Sequence, residues 1–276
     1  MSKIVLMYHD VYDKSPVESG FNSPGANHYK ISKEVFTKHV RTISQYCESK
    51  GIDKENIVLT FDDGGVSFHT IIAPILEEYG WRGIFFISTN FVGSNEFLSQ
   101  EQIIDLCKRG HIIGAHSHSH KVLTDISLED VKYELSTNKD CLETILGRPI
   151  ETISIPNGSY STDVLKIAID TGFQSIYTSK PSTQLERFYE KDLIGRYAIL
   201  HNTQADDVIK IISSTTLRNW MRYRYEILKF ARQALGQYYY KIRTNMMINI
   251  PIINNLMDLP IYSNTNRLYD FKGMID

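Results

Sequence analysis

The chain has 276 residues, 42% of them hydrophobic, which is enough apolar content for one large core. A formal net charge of −2 supplies no basic field for a nucleic acid or another extended polyanion. No apolar run reaches the roughly 20 residues of a membrane-spanning helix, and Cys47, Cys107 and Cys141 are too few and too scattered for a disulfide framework or a thiolate zinc site.

Met1-Ser2-Lys3 runs directly into an apolar segment, Ile4 to Tyr8, that is too short for a secretory signal and reads as a first strand, so the expected location is the cytoplasm. A loop rich in Ser, Pro, Gly and Asn follows from Ser15 to Asn27. Ser32 then caps a helix whose Phe36, Val40, Ile43 and Cys47 share one face. Ile57 to Phe61 is a buried strand, and Gly64-Gly65 turns it into a helix carrying Ile71, Ile75 and Leu76. Gly83 to Ser88 is the next strand. Ser99 opens a helix through Ile103, Ile104 and Cys107 that Gly110 ends, and Ile112-Ile113-Gly114 is a strand again. Leu128 to Leu146 has the charge pattern of an exposed helix; Ile153 to Ile155 is a strand, Thr162 to Asp170 a helix and Ser175 to Thr178 a strand. Strands alternating with helices predict a parallel sheet covered by helices, with residues 1–212 forming one domain and 213–276 an extension.

Two clusters carry chemistry. Asp62 and Asp63 follow a buried strand, and His116 and His120, four residues apart in His116-Ser117-His118-Ser119-His120, follow another. Two imidazoles and one carboxylate can hold a divalent cation such as zinc, and the second carboxylate of the Asp pair can take a proton from its water. Asp-Asp-Gly alone is ordinary turn chemistry; the histidine cluster is what lifts it above that. His118 diverges from the pair and is read as a non-ligand. His9, at the end of the first strand, is read as a core or rim histidine, and His28, His39, His69 and His111 as structural or exposed.

The ordered set Thr60-Phe61-Asp62-Asp63-Gly64, Gly83 to Ile87, Gly110 to His120 and Pro156-Asn157-Gly158-Ser159-Tyr160 resembles the polysaccharide deacetylase family, the carbohydrate esterases built on the NodB homology domain. The resemblance covers about Ile4 to Ile212. It implies a distorted (β/α) barrel of about seven parallel strands, bearing a C-terminal helical extension here, and removal of acetyl from an N-acetylated sugar. Asp62 matches the family's general base, and Asp63, His116 and His120 match its metal ligands, with zinc the expected ion. His201 is the candidate for the late histidine that protonates the leaving amine, and Asn157 and Tyr160 are candidates for lining the cleft. Ser154 stands where many members carry an arginine that orients the base. Arg196 is the nearest replacement by position, or else an ordinary surface ion pair.

The resemblance leaves the C-terminal region unexplained. Between Leu217 and Arg243 there are seven basic residues and one acidic, Glu226, so this stretch is strongly cationic in a chain of net −2. Trp220, Tyr223, Ile227, Phe230 and Ala231 form a helical stripe, continued by Tyr238 and Tyr239, with Gly236 as a break. Such a helix either docks on the barrel or lies at an anionic membrane surface, where it would bring the enzyme to a lipid-linked sugar. Met246 to Leu259 is apolar, interrupted by Pro251 and too short to span a bilayer. Three functions fit: an N-acetyl sugar deacetylase, a hydrolase of another small amide such as a formyl or cyclic amide, and an inactive sugar-binding or scaffold module of glycan assembly.

Overall fold

The computed structural model of the chain describes residues 3–235, with side chains to residue 230. Tyr238, Tyr239, Gly236 and the 246–259 segment lie outside the described residues. The strands are β1 (Ile4–Tyr8), β2 (Val11–Tyr12), β3 (Ile31–Ser32), β4 (Ile57–Phe61), β5 (Ile84–Ile87), β6 (Ile112–Ala115), β7 (Thr152–Ser154), β8 (Ser175–Tyr177), β9 (Glu186–Phe188), β10 (Lys191–Ile194) and β11 (Tyr197–Ala198). The helices are α1 (Pro24–Asn27), α2 (Lys33–Lys50), α3 (Ala73–Glu78), α4 (Gln100–Lys108), α5 (Leu128–Leu146), α6 (Thr162–Asp170), α7 (Ala205–Ser213) and α8 (Thr215–Leu235).

Nine strands form one curled, mostly parallel sheet in the order β11-β1-β4-β5-β6-β7-β8-β10-β9, and only β9 runs antiparallel to its neighbour. The expected barrel of about seven strands is thus a nine-stranded half-barrel. Its central strands read as continuous apolar runs because both faces are covered. One set of side chains, Val5, Ile84, Phe86 and Tyr177, packs together as a small cluster of its own, whereas Leu6, Leu59, Phe85 and Ile113 join the larger core. Gly114 is required by this packing: a Cβ there would sit 2.6 Å from the ring of Phe86.

Local signals act as the sequence predicts. Ser32 accepts a hydrogen bond from the amide of Val35 at the start of α2, Gly51 ends that helix at φ 61°, and Ser99 with Gln102 forms a capping box on α4. The helix after Gly64-Gly65 begins with a turn of π-helix, Phe68–Ile72. α5, whose charges read as an exposed helix, instead buries Glu134 and Asn138. α8 is docked on the barrel through Met221, which belongs to the main core, and Leu217, which packs against it.

Candidate active site

The sheet places chemistry where its strands end. Tyr8 closes β1 and His9 follows; Phe61 closes β4 and Asp62-Asp63 follow; Ala115 closes β6 and His116 follows. This is the edge at which parallel α/β sheets bind their ligands. A cleft of about 620 Å³ opens there, lined among others by His9, Asp62, Asp63, His116, His120 and Asn157.

Asp63, His116 and His120 offer ligand atoms that all lie within 4.8 Å of one another. Nε2 of His116 and of His120 approach Oδ1 of Asp63 to 3.3 and 3.1 Å. Neither approach has hydrogen-bond geometry, so this buried oxygen has no donor. Atoms bonded to one tetrahedral zinc at about 2.0–2.1 Å stand roughly 3.3 Å apart, so the spacing and the orphaned oxygen both fit a cation. Nδ1 of His116 lies 2.8 Å from the carbonyl of Ser154 and is placed to donate to it, which leaves Nε2 as the free lone pair toward Asp63. His118 is not part of the group: its Nδ1 lies 2.9 Å from Oγ1 of Thr89 and its ring meets Tyr133 edge-on.

The loop that carries His116 and His120 is held from α5. Oδ1 of Asn138 accepts from the amide of His116, and its Nδ2 donates to the carbonyls of Ile87 and Ser117. Glu134, one turn earlier, accepts from the amide and the hydroxyl of Ser119, and its backbone carbonyl accepts from the amide of His118. On the opposite wall the ring of Phe21 lies 4.8 Å from that of His120. The loop bearing Phe21 is fixed by the buried ammonium of Lys30, which donates to the carbonyls of Pro16 and Ser19 at 2.6 Å. Asp10 accepts from the hydroxyls of Ser19 and Ser67, and burial pushes its carboxyl up to about 6.

Asp62 is set apart from the ligand group by Arg196. This arginine is fully buried, and its two terminal nitrogens each lie 2.7 Å from a different oxygen of Asp62. Nη2 also reaches Oγ of Ser154 at 2.7 Å, and that hydroxyl donates to Asp62 at 2.9 Å. The guanidinium and Ser154 thus both bind the Asp62 carboxylate, and the burial of Arg196 excludes the surface ion-pair reading. Burial is the largest single influence on Asp62 and would raise its pKa, but the charge and hydrogen bonds of Arg196 together with the nearby His116 and His9 more than offset it and hold the carboxyl below the usual range.

Two sequence-based candidates fall outside the cleft. His201 is exposed, its Nδ1 is 3.1 Å from the carbonyl of His28, and its ring packs on that of His28 at 4.5 Å. A tight turn after β11 swings it away from the other site residues. Tyr160 packs against the core and beneath Lys229 and does not line the cleft, whereas Asn157, at φ 56°, does. The histidine that sequence reasoning passed over is His9. It lines the cleft, its ring lies 4.5 Å from that of Tyr29, and its buried Nδ1 has no hydrogen-bond partner. Its place at a strand's C-terminal end, shared with Asp62 and His116, was the available signal.

A parallel α/β half-barrel with this acid and imidazole set at its strand ends has the architecture of a carbohydrate esterase. The chain belongs to the polysaccharide deacetylase family. A family profile described as polysaccharide deacetylase matches residues 49–176. The chain is 30% identical over 159 residues to a chitooligosaccharide deacetylase of Azorhizobium caulinodans, covering 57% of this chain and 73% of that protein. It is 24% identical over 191 residues to the putative polysaccharide deacetylase YxkH of Bacillus subtilis, spanning 64% of each. Among solved structures, the Streptococcus pyogenes deacetylase PplD, in complex with acetate, shares the fold with a TM-score of 0.61 at 21% identity, over 77% of this chain and 99% of that one.

Proposed function

We propose that this chain is a metal-dependent N-deacetylase of an N-acetylated sugar, in a polysaccharide or its precursor. The observation that carries this reading is the Asp63-His116-His120 cluster with an undonated oxygen at its centre, beside a carboxylate reserved by Arg196. The names of its relatives supply the substrate class: one is a chitooligosaccharide deacetylase and another was solved with acetate, the acid that deacetylation releases.

Asp63, His116 and His120 would hold the divalent cation, and one oxygen with two nitrogens suits zinc. Such an ion polarises the amide carbonyl and makes a water nucleophilic near neutral pH. Asp62 would take the proton of the attacking water. Three donors already occupy its oxygens, but an ionised carboxylate has about four acceptor positions, so one remains for the reaction. Arg196 and Ser154 fix its direction and keep it ionised. His9 protonates the departing amine, which must leave as a neutral nitrogen. Burial lowers the pKa of His9 while the charges of Asp63 and Asp62 oppose, so the proton it would deliver comes from a minority protonated form that is the stronger acid for being so.

The test separates base from ligand. Asp62→Asn abolishes acetate release from N-acetylglucosamine oligomers and leaves metal content by elemental analysis near one ion per chain, whereas Asp63→Asn and His116→Ala lose the metal. Normal metal content in all three variants, with activity retained in Asp62→Asn, would falsify the assignment.

A further inference from the structure

The histidines that line the cleft, His9, His116 and His120, are not held alike. His116 is set by a hydrogen bond, its Nδ1 lying 2.8 Å from the carbonyl of Ser154. Among the described residues, the buried Nδ1 of His9 has no hydrogen-bond partner, and no group stands in hydrogen-bond geometry to Nδ1 of His120. A ligating imidazole ordinarily has its second nitrogen fixed by a carbonyl or a carboxylate. These two rings need another restraint.

One segment supplies an aromatic ring to each. Residues 13–30 run along one wall of the cleft, where Phe21 lies 4.8 Å from the His120 ring at 37° and Tyr29 lies 4.5 Å from the His9 ring at 38°. Phe21 is itself wedged, since Phe91 and Phe97 meet it at 4.8 and 5.0 Å in edge-on contacts. We infer that Phe21 and Tyr29 are positioning residues, which set the rings of His120 and His9 by packing where no hydrogen bond does so.

The segment is built as a fixed wall. The ammonium of Lys30, 2% exposed, donates to the carbonyls of Pro16 and Ser19 at 2.6 Å and to Oδ1 of Asn22 at 3.0 Å, so all its hydrogens are directed at the stretch around Phe21. The amide of Gly20 donates to the carbonyl of Glu96 at 2.8 Å, and a Cβ on Gly20 would sit 1.8 Å from Oδ2 of Asp10. Oδ1 of Asp10 binds the hydroxyls of both Ser19 and Ser67, which ties the wall to the turn that follows Asp62 and Asp63. Beside Tyr29, the carbonyl of His28 accepts from the amide of His201 at 3.0 Å. Each aromatic ring thus has an anchor next to it in the chain. That the two imidazoles serve a reaction rests on the deacetylase reading, in which His120 holds the cation and His9 carries the proton; the packing itself does not.

The experiment is NMR relaxation of the histidine ring carbons in the metal-free full chain, with signals assigned through His9→Gln, His116→Gln and His120→Gln. In the parent chain these rings should be rigid on the picosecond-to-nanosecond timescale. Phe21→Ala should free the His120 ring alone and Tyr29→Ala the His9 ring alone, while His116 keeps its Ser154 carbonyl and reports that the fold is intact. Phe21→Tyr should restore the order of His120, and Lys30→Met should loosen His9 and His120 together. Should Phe21→Ala unfold, Phe21→Leu keeps the apolar volume and should give a smaller effect in the same direction. Added zinc should bind Phe21→Ala about tenfold more weakly in competition with a chelator, and Tyr29→Ala like the parent. The inference is overturned if either ring stays as ordered without its aromatic partner, or if one single variant loosens both rings equally. A freed His120 ring with unchanged zinc affinity would support the packing role and remove His120 from the ligands, so the two readings fail separately.

Discussion

Replacing Arg196 with Met tests how the site is held together. The guanidinium is fully buried and forms a two-pronged pair with a carboxylate whose side chain is 4% exposed, so removing it leaves Asp62 as a buried charge with only Ser154 as donor. Breaking such a pair costs roughly 3–5 kcal/mol, a large part of the about 5–15 kcal/mol that holds a domain folded. Two readouts follow. The first is urea unfolding at pH 7, where Arg196→Met should lose about that amount, and Arg196→Met/Asp62→Asn should recover at least half, because neither charge is then stranded. The second is the pH profile. The folded-state pKa of Asp62 is depressed, so the stability contributed by the pair is present above the unfolded value of about 4 and is lost as pH falls through the folded value. Without Arg196, burial is opposed only by His116, His9 and the Ser154 hydroxyl, so the carboxyl titrates higher and the acid limb of kcat/KM should move up. Arg196→Lys keeps a charge without the planar fork and should fall between the two. A loss below about 1 kcal/mol with an unmoved acid limb would refute the argument.

Two other substitutions probe histidines that the sequence treats alike. His9→Gln should lower kcat by about 10²–10⁴-fold with metal content unchanged, and full activity in this variant would remove His9 from the reaction. His39 is buried with Nδ1 3.4 Å from the hydroxyl of Tyr8 and Nε2 3.1 Å from the carbonyl of Thr203, and burial pushes its pKa down to about 4. The unfolded chain then binds the extra proton first, so stability falls as pH drops below about 6.5, by about 2 kcal/mol at pH 5. His39→Gln should flatten unfolding free energy over that range, and an unchanged slope would contradict the assignment.

What was legible in the sequence was whatever has a short-range cause. Helical spacing and caps located α2, α4 and α6, and the apolar run Ile57 to Phe61 located β4. The hairpin of β9 and β10 was not legible. Its strands read Glu186-Arg187-Phe188 and Lys191-Asp192, and its turn places Tyr189 and Glu190 at φ 46° and 62° with no Gly or Asn to announce it. That unread hairpin delivers Arg196. Its pairing with Asp62 joins residues 134 positions apart, so position along the chain could nominate the arginine but not its partner. His201 failed for the complementary reason: an apolar run followed by histidine says nothing about which way the chain turns next.

α5 shows how a polar pattern can conceal a buried role. Asp63, Ser117 and His120 are held at φ 93°, 57° and 58°, a region that costs non-glycine residues of order 1–3 kcal/mol each. A strained loop stays in place only if the surrounding structure over-determines it. Asn138 and Glu134 supply that constraint, binding backbone groups of His116, Ser117, His118 and Ser119 from two positions one helical turn apart. Each is buried and bonds to the protein and not to solvent, Glu134 to the histidine loop and Asn138 to that loop and to Ile87 and Thr89 beside it. The helix therefore needs polar residues on the face that a simple amphipathic pattern would make apolar, and they are the reason it reads as exposed. Its polarity serves to fix the backbone that carries His116 and His120, the two imidazoles of the proposed cation site.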